Sequence, residues 1–148
     1  MTAILTYEDV QIVVPQIART WLGTPYHQNT CMKGKGVDCA RFLTAIFQEA
    51  GLIPLSYQPP PEHRDWIHGK DVDTKQFMRD LLRFGHRVKF DERVPGDVIS
   101  FTYNGVESHV GVLVENDHII HACNVSEVME HPLRAFLSCI EFTYRINL

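Results

Sequence analysis

The chain has 148 residues, of which 45% are hydrophobic and 22% charged, and a formal charge of −4. That is the mixture of an ordinary globular protein, and a chain this long buries roughly 70% of the surface its unfolded form exposes. It predicts one domain spanning 1–148, able to hold a core without disulfides or metals, and it excludes a disordered chain. The acidic balance gives no footprint for nucleic acid or an anionic membrane, and no run of about 18 apolar residues predicts a membrane span. Residues 1–10, MTAILTYEDV, lack the basic and apolar regions of a signal peptide, which predicts a cytoplasmic product. Four cysteines (31, 39, 123 and 139) form no C-x-x-C pair and are expected as free thiols.

In chain order, Val10, Val13, Val14, Ile17, Ala18, Trp21 and Leu22 recur with helical spacing and predict one apolar helix face. Thr6 and Asp9 have the spacing of a capping box. Pro15 falls on the polar side, where it should kink the helix or mark its start. Gly23-Thr24-Pro25 ends the segment, and 24–37, with Gly34 and Gly36, reads as a loop. A second helix is predicted at about 39–50, with Phe42, Leu43, Ile46, Phe47 and Ala50 inward. Asp38 is its N-cap and Gly51 its C′ residue. The proline-rich stretch 54–69 reads as a surface loop. A third helix is predicted at 74–84, capped by Asp73, with Phe77, Met78, Leu81 and Leu82 inward.

The period then changes. Val94-Pro95-Gly96 is a turn, and 97–103, 109–115, 118–123 and 140–147 are strand-like segments rich in Val, Ile, Phe and Tyr. Asn104-Gly105 and Asn116-Asp117 are hairpin turns. Helices followed by strands predict an α+β fold with an antiparallel meander.

Three residues could carry chemistry. Cys39 opens a helix behind Asp38, where the positive end of the helix dipole favours a thiolate, although a cysteine there is more often a small core residue. His109 begins an apolar strand, and Gly111, two residues on and on the same face, leaves room beside it for another group. His121 follows across the Asn116-Asp117 turn, in reach of His109 if the two segments pair as a hairpin. A thiol, an imidazole and a second polar residue to orient it make up the constellation of thiol acyl transfer. A zinc site on Cys39, His109 and His121 is the alternative, but no H-x-x-x-H or C-x-x-C spacing supports a metal. His63, His68, His86, His118 and His131 have no assigned partner and read as surface or structural. Cys123 and Cys139 read as core.

The run Trp21-Leu22-Gly23-Thr24-Pro25-Tyr26-His27, the segment from Lys33 to Val37, Asp38-Cys39-Ala40-Arg41-Phe42-Leu43, Pro95-Gly96-Asp97, Ser108-His109-Val110-Gly111 and Ile119-Ile120-His121-Ala122 together resemble the NlpC/P60 family of cell-wall cysteine peptidases. The resemblance spans about residues 10–135. It is closest to the short, single-domain kind encoded with phage tail genes and prophages. It implies a papain-like α+β core with the nucleophile's helix packed on an antiparallel sheet. Cys39 matches the nucleophile, His109 the general base, His121 the orienting polar residue, and Tyr26 a tyrosine beside the oxyanion. Asp38 matches an acidic residue that binds a substrate amine. Ala40 stands where many members have Ser, and Arg41 after it is expected to read a different substrate group.

The implied reaction is hydrolysis of a γ-D-glutamyl to diamino-acid amide in peptidoglycan stem peptides, through a thioester and without a cofactor. The alternatives are an assembly component of a phage tail tip that keeps the fold, or a thiol amidase or acyltransferase acting on a non-wall substrate. With no export signal read in the sequence, delivery to the wall is expected on a particle, by lysis or through a secretion machine, the alternative being action on free cytoplasmic peptides. Cys31 reads as a spectator thiol, the alternative being a place near the site where it could form a regulatory disulfide. Tyr57, Trp66 and the prolines of 54–72 are expected either to wall the cleft or to form a packed surface loop.

Overall fold

The computed structural model describes residues 6–61, 64–65, 70–71, 74–103, 106–124 and 126–148. The first helix, α1 (Tyr7–Arg19), starts at the expected capping box, with Thr6 and Asp9 each accepting the other's backbone N–H. Pro15 lies inside it and is buried with Val10, Val14 and Ala18 rather than on the polar side, and the helix does not start there. Leu22 is exposed, beyond the helix end. The expected loop 24–37 contains a two-residue ladder, β1 (Cys31–Met32) with β2 (Gly36–Val37). Next, α2 (Cys39–Glu49) matches its predicted span and inward face, with Asp38 as N-cap and Gly51 just past the end at φ 78°.

A second short ladder, β3 (Arg64–Asp65) with β4 (Lys70–Asp71), crosses the stretch expected as plain loop. The third helix, α3 (Thr74–Phe84), turns Phe77, Met78 and Leu81 inward but leaves Leu82 exposed, because the face is narrower than the apolar run. Its expected cap, Asp73, lies outside the described residues, as do Trp66 and the Asn104-Gly105 turn.

The main sheet has six antiparallel strands: β5 (Gly85–Val88), β6 (Val98–Tyr103), β7 (Val106–Val114), β8 (His118–Ala122), β9 (Val128–Pro132) and β10 (Ile140–Ile146). Their order is β5-β10-β6-β7-β8-β9, a meander from β6 to β9 with β10 returning beside β6. The predicted strands are present, with β7 starting three residues early. The edge strands β5 and β9 were not expected, since both are short and mix apolar with charged or histidine residues. Asn116 and Asp117, at φ 62° and 57°, form the turn between β7 and β8 with both central residues left-handed. The 94–97 turn is locked by Asp97, whose carboxylate takes the Val94 N–H and two N–H groups of Arg145.

Alternation sorts the strands between two cores. Val98, Val110, Val112, Val114, Ile120, Ala122 and Val128 pack against the three helices. Ile99, Phe101, Leu113 and Ile119 face the other way, under Leu133 and Phe136 of the 3₁₀ segment Leu133–Cys139. Where both faces are buried, the strands read as continuous apolar runs, as Val110–Val114 and Ile119–Ile120 do. No helix among the described residues is long and apolar enough to cross a membrane.

Candidate active site

Cys39 takes the first position of α2, directly behind its cap. The Asp38 carboxylate is fully buried. One oxygen accepts the Arg41 backbone N–H at 2.9 Å, and the other accepts the Asn29 N–H at 2.7 Å and Arg41 Nη1 at 2.8 Å. A charged acceptor with that many donors fixes the first turn of the helix. The helix start also leaves backbone N–H groups without intrahelical partners around Cys39. The Cys39 side chain is 1% exposed.

Backbone pairing sets which end of the sheet α2 starts from. Pro25 bridges Glu127, Thr24 and Gly23 bond Val128, and the Tyr26 N–H bonds the Ser126 carbonyl. On its other side Tyr26 bridges Val37, two residues before Cys39. Cys39 and Tyr26 are thereby tied to the end of the sheet where β8 passes into β9. His121 lies at the C-terminal end of β8, and His109 lies in the corresponding part of β7. All four residues share one end of the molecule.

The β7–β8 ladder runs from Val114↔His118 to Val112↔Ile120. Continued one step it sets Gly111, not His109, opposite His121. The imidazoles meet diagonally, with His109 Nε2 to His121 Nδ1 at 2.8 Å and the rings T-shaped. A Cβ on Gly111 would lie 3.0 Å from His121 Cβ and 2.7 Å from Ile119 Cδ1, so only glycine fits beside these two side chains without displacing them. On the other side β7 carries a bulge at Ser108, since Phe101 pairs His109 while Thr102 pairs Glu107. Such a bulge re-aims the side chains beside it. The His109 ring lies against Phe101, centroids 5.8 Å apart.

Both imidazoles are buried, His109 6% and His121 4% exposed. Burial, helped by the nearby His131, pushes the His121 pKa down to about 4. His121 is therefore a neutral partner at pH 7, with one nitrogen donating and the other accepting. His131, which the sequence left unassigned, continues the series. Its Nδ1 is 2.9 Å from His121 Nε2, and Phe136 packs on both rings. Ile119, His121, Met129 and His131 alternate on paired strands, a signal that becomes readable only once β9 is recognised. His118 bonds Glu130, and His86 bonds Asn147. His63 and His68 lie outside the described residues. Among the described residues no group of His, Cys, Asp or Glu could hold a metal ion. The imidazole nitrogens aim at one another, not at a common point, so the zinc alternative finds no support.

Arg41 is committed to the chain itself. Besides Asp38, its guanidinium donates to the Pro59 and Pro60 carbonyls, pinning the proline loop to α2. With Asn29, Cys31, Gln48 and Tyr57 it lines a surface cleft of about 390 Å³ along α2. Tyr57 donates to Asp80 Oδ2 at 2.6 Å and packs on Phe84, so this aromatic anchors the loop to α3. Cys31 lies on the cleft, 3.8 Å from the Arg41 carbonyl, and desolvation and the Asp38 charge push its thiol pKa up, away from a reactive thiolate. Cys123 and Cys139 are half-buried at the margins of the strands rather than in the core, and no disulfide joins any of the four cysteines.

The NlpC/P60 family model matches residues 23–138. No curated protein sequence matches the chain. Among solved structures, the NlpC/p60 domain of the peptidoglycan hydrolase SagA superposes with a TM-score of 0.61 at 17% identity, over 92% of this chain and 97% of that one. The peptidoglycan hydrolase RipB of Mycobacterium tuberculosis gives 0.63 at 18%, over 95% of this chain and 67% of that one. A Staphylococcus aureus protein described as similar to lipoprotein, NLP/P60 family, gives 0.67 at 19%. All of this chain matches it, but only 45% of that longer chain is spanned. At these identities the likeness establishes the fold.

Proposed function

Since the chain belongs to the NlpC/P60 family, we propose that it is a cysteine hydrolase that cleaves an amide bond in peptidoglycan stem peptides, between a γ-D-glutamyl residue and a diamino acid. The observation that carries this reading is the 2.8 Å His109–His121 bond at the same end of the sheet as Cys39, which opens α2. SagA and RipB, which share the fold, are both described as peptidoglycan hydrolases, and this supports the substrate class.

The chemistry follows from the three residues. His109 binds His121 through Nε2, so Nδ1 is the nitrogen that takes the Cys39 proton. The thiolate attacks the amide carbonyl, and the oxyanion meets the Cys39 backbone N–H, with the Tyr26 hydroxyl as second donor. His109 returns its proton to the leaving amine as the C–N bond breaks, leaving a thioester on Cys39. A water deprotonated by His109 then attacks the thioester, and its collapse restores the thiol. His121 holds the His109 ring in place and accepts its Nε2–H when His109 is an imidazolium. Asp38 and Arg41, which satisfy each other, act here by fixing the helix start.

Mass spectrometry of whole peptidoglycan and of defined stem peptides, incubated with wild type and with Cys39→Ala, tests the reading. Cleavage by wild type alone at the γ-D-glutamyl bond is the expected result. Cleavage by both proteins, or wild-type cleavage at another bond only, would overturn it.

A further inference from the structure

His131 takes no part in that mechanism, yet it is joined to His121 as closely as His121 is to His109, at 2.9 Å and 2.8 Å. A neutral imidazole has one N–H and one bare nitrogen, so the two bonds are not independent. In one arrangement the donors run outward: His109 Nε2–H to His121 Nδ1, then His121 Nε2–H to His131 Nδ1. His109 Nδ1 is then bare and can receive the thiol proton. In the other, His131 Nδ1–H donates to His121 Nε2 and His121 Nδ1–H to His109 Nε2. The neutral His109 then carries its proton on Nδ1, the nitrogen that faces the chemistry.

We propose that His131 is a positioning residue that acts through His121. Neutral, it holds the outward arrangement. Protonated by solvent, it imposes the inward one and takes up the one extra proton the three imidazoles can hold, so the Cys39 proton has nowhere to go.

The proposal rests on the reading of Cys39 and His109 as nucleophile and base. Proton counting supports it. Three neutral imidazoles hold three ring protons. A fourth from solvent is carried by His131 on both nitrogens, and each inner ring keeps one on Nδ1. A fifth would make a second imidazolium within the same bonded series, where burial already opposes charge on His121. The surroundings make His131 the ring where solvent can add that proton. It is half-buried, whereas His109 and His121 are buried. From β8 it meets His121, and from the 3₁₀ segment the Phe136 ring. Its neighbour on β9, Glu130, is engaged by His118 and Arg19. Among the described residues no carboxylate is recorded against the His131 ring.

The test pairs a variant with a spectroscopic readout. In His131→Gln the side-chain carbonyl can still accept from His121 Nε2–H but cannot be protonated. The acid limb of Cys39 alkylation and of hydrolysis is expected to move down by about one pH unit, with the plateau kept within about threefold. A purely structural role would lower the plateau and leave the limb in place, which would overturn the proposal. Nitrogen-15 NMR of the wild-type imidazoles needs no variant. His121 is expected to change from the Nε2–H to the Nδ1–H tautomer as the pH falls through the acid limb of activity, and a single tautomer throughout would overturn the proposal. Unchanged alkylation in His109→Ala would instead remove the underlying dyad. Slowed alkylation in His109→Ala with a wild-type limb in His131→Gln would remove the relay alone.

Discussion

His109 and His121 meet diagonally across β7 and β8, and the residue opposite His121 in continued register is Gly111. Directly opposed imidazoles would compete for the same cross-strand space. The diagonal lets each ring lean along its strand and bring Nε2 of one to Nδ1 of the other. It works only because position 111 has no side chain.

Gly111→Ala is therefore expected to harm the site more than the fold. The new methyl displaces Ile119 and His121, at a cost of roughly 1–3 kcal/mol in stability. It should also reduce hydrolysis at least tenfold by moving His121 off His109. Denaturant midpoints read beside kcat/KM check this. Near-wild-type activity at reduced stability would show that the imidazole bond tolerates the shift.

Replacing His109 by Ala is expected to slow alkylation of Cys39 at neutral pH by on the order of tenfold, because the thiolate loses its cationic partner. Cys39 is buried, so a single rate mixes access with ionisation. The pH dependence separates them, with the rate in His109→Ala expected to rise only toward the ordinary thiol range. A rate still flat near neutral pH would mean that something else ionises the thiol.

The depressed pKa of His121 ties stability to pH. Above about 6.5 the ring is neutral in both folded and unfolded chains. As pH falls from about 6.5 toward 4, the unfolded chain takes up a proton that the folded one refuses, so stability declines across that window. The full effect is at most roughly 3 kcal/mol. In His121→Asn the decline should be shallower by that share. Chemical denaturation at pH 7, 5.5 and 4.5 measures the difference, and parallel curves for the two proteins would contradict it.

Asp38 and Arg41 should behave as one unit. Asp38→Ala removes the cap of α2, the partner of Asn29 and the counter-charge of a mostly buried guanidinium, and is expected to cost about 3 kcal/mol. Arg41→Ala also frees the proline loop at its Pro59 and Pro60 carbonyls. The double variant is expected to lose less than the sum of the singles, since each removes the same ion pair. Additive losses in a thermodynamic cycle would show that the pair is not coupled.

How far the site is legible in the sequence depends on the range of the signal. Asp38 as a cap, Cys39 at a helix start and Gly111 as a gap beside His109 are local patterns: a polar residue before an apolar period, and a small residue two places along a strand. They reappear in the structure as read. The roles expected of Asp38 and Arg41 toward substrate are not local, and in the structure the two groups bond each other. His131 is illegible in the sequence for the same reason. Its strand is five residues long, mixes Val and Met with Glu, His and Pro, and follows a turn without an Asn-Gly or Asp-Gly signature.

By itself, then, the sequence determined the helices, the central strands and most of the residues that face them, because capping, 3.6-residue and 2-residue periods are properties of neighbouring residues. The pairing of 23–26 with 126–128, the diagonal register over Gly111 and the third imidazole were decided by tertiary structure. Each depends on which strand lies beside which, and that choice is made by burying two opposite faces of one sheet at once, under three helices on one side and Leu133 and Phe136 on the other.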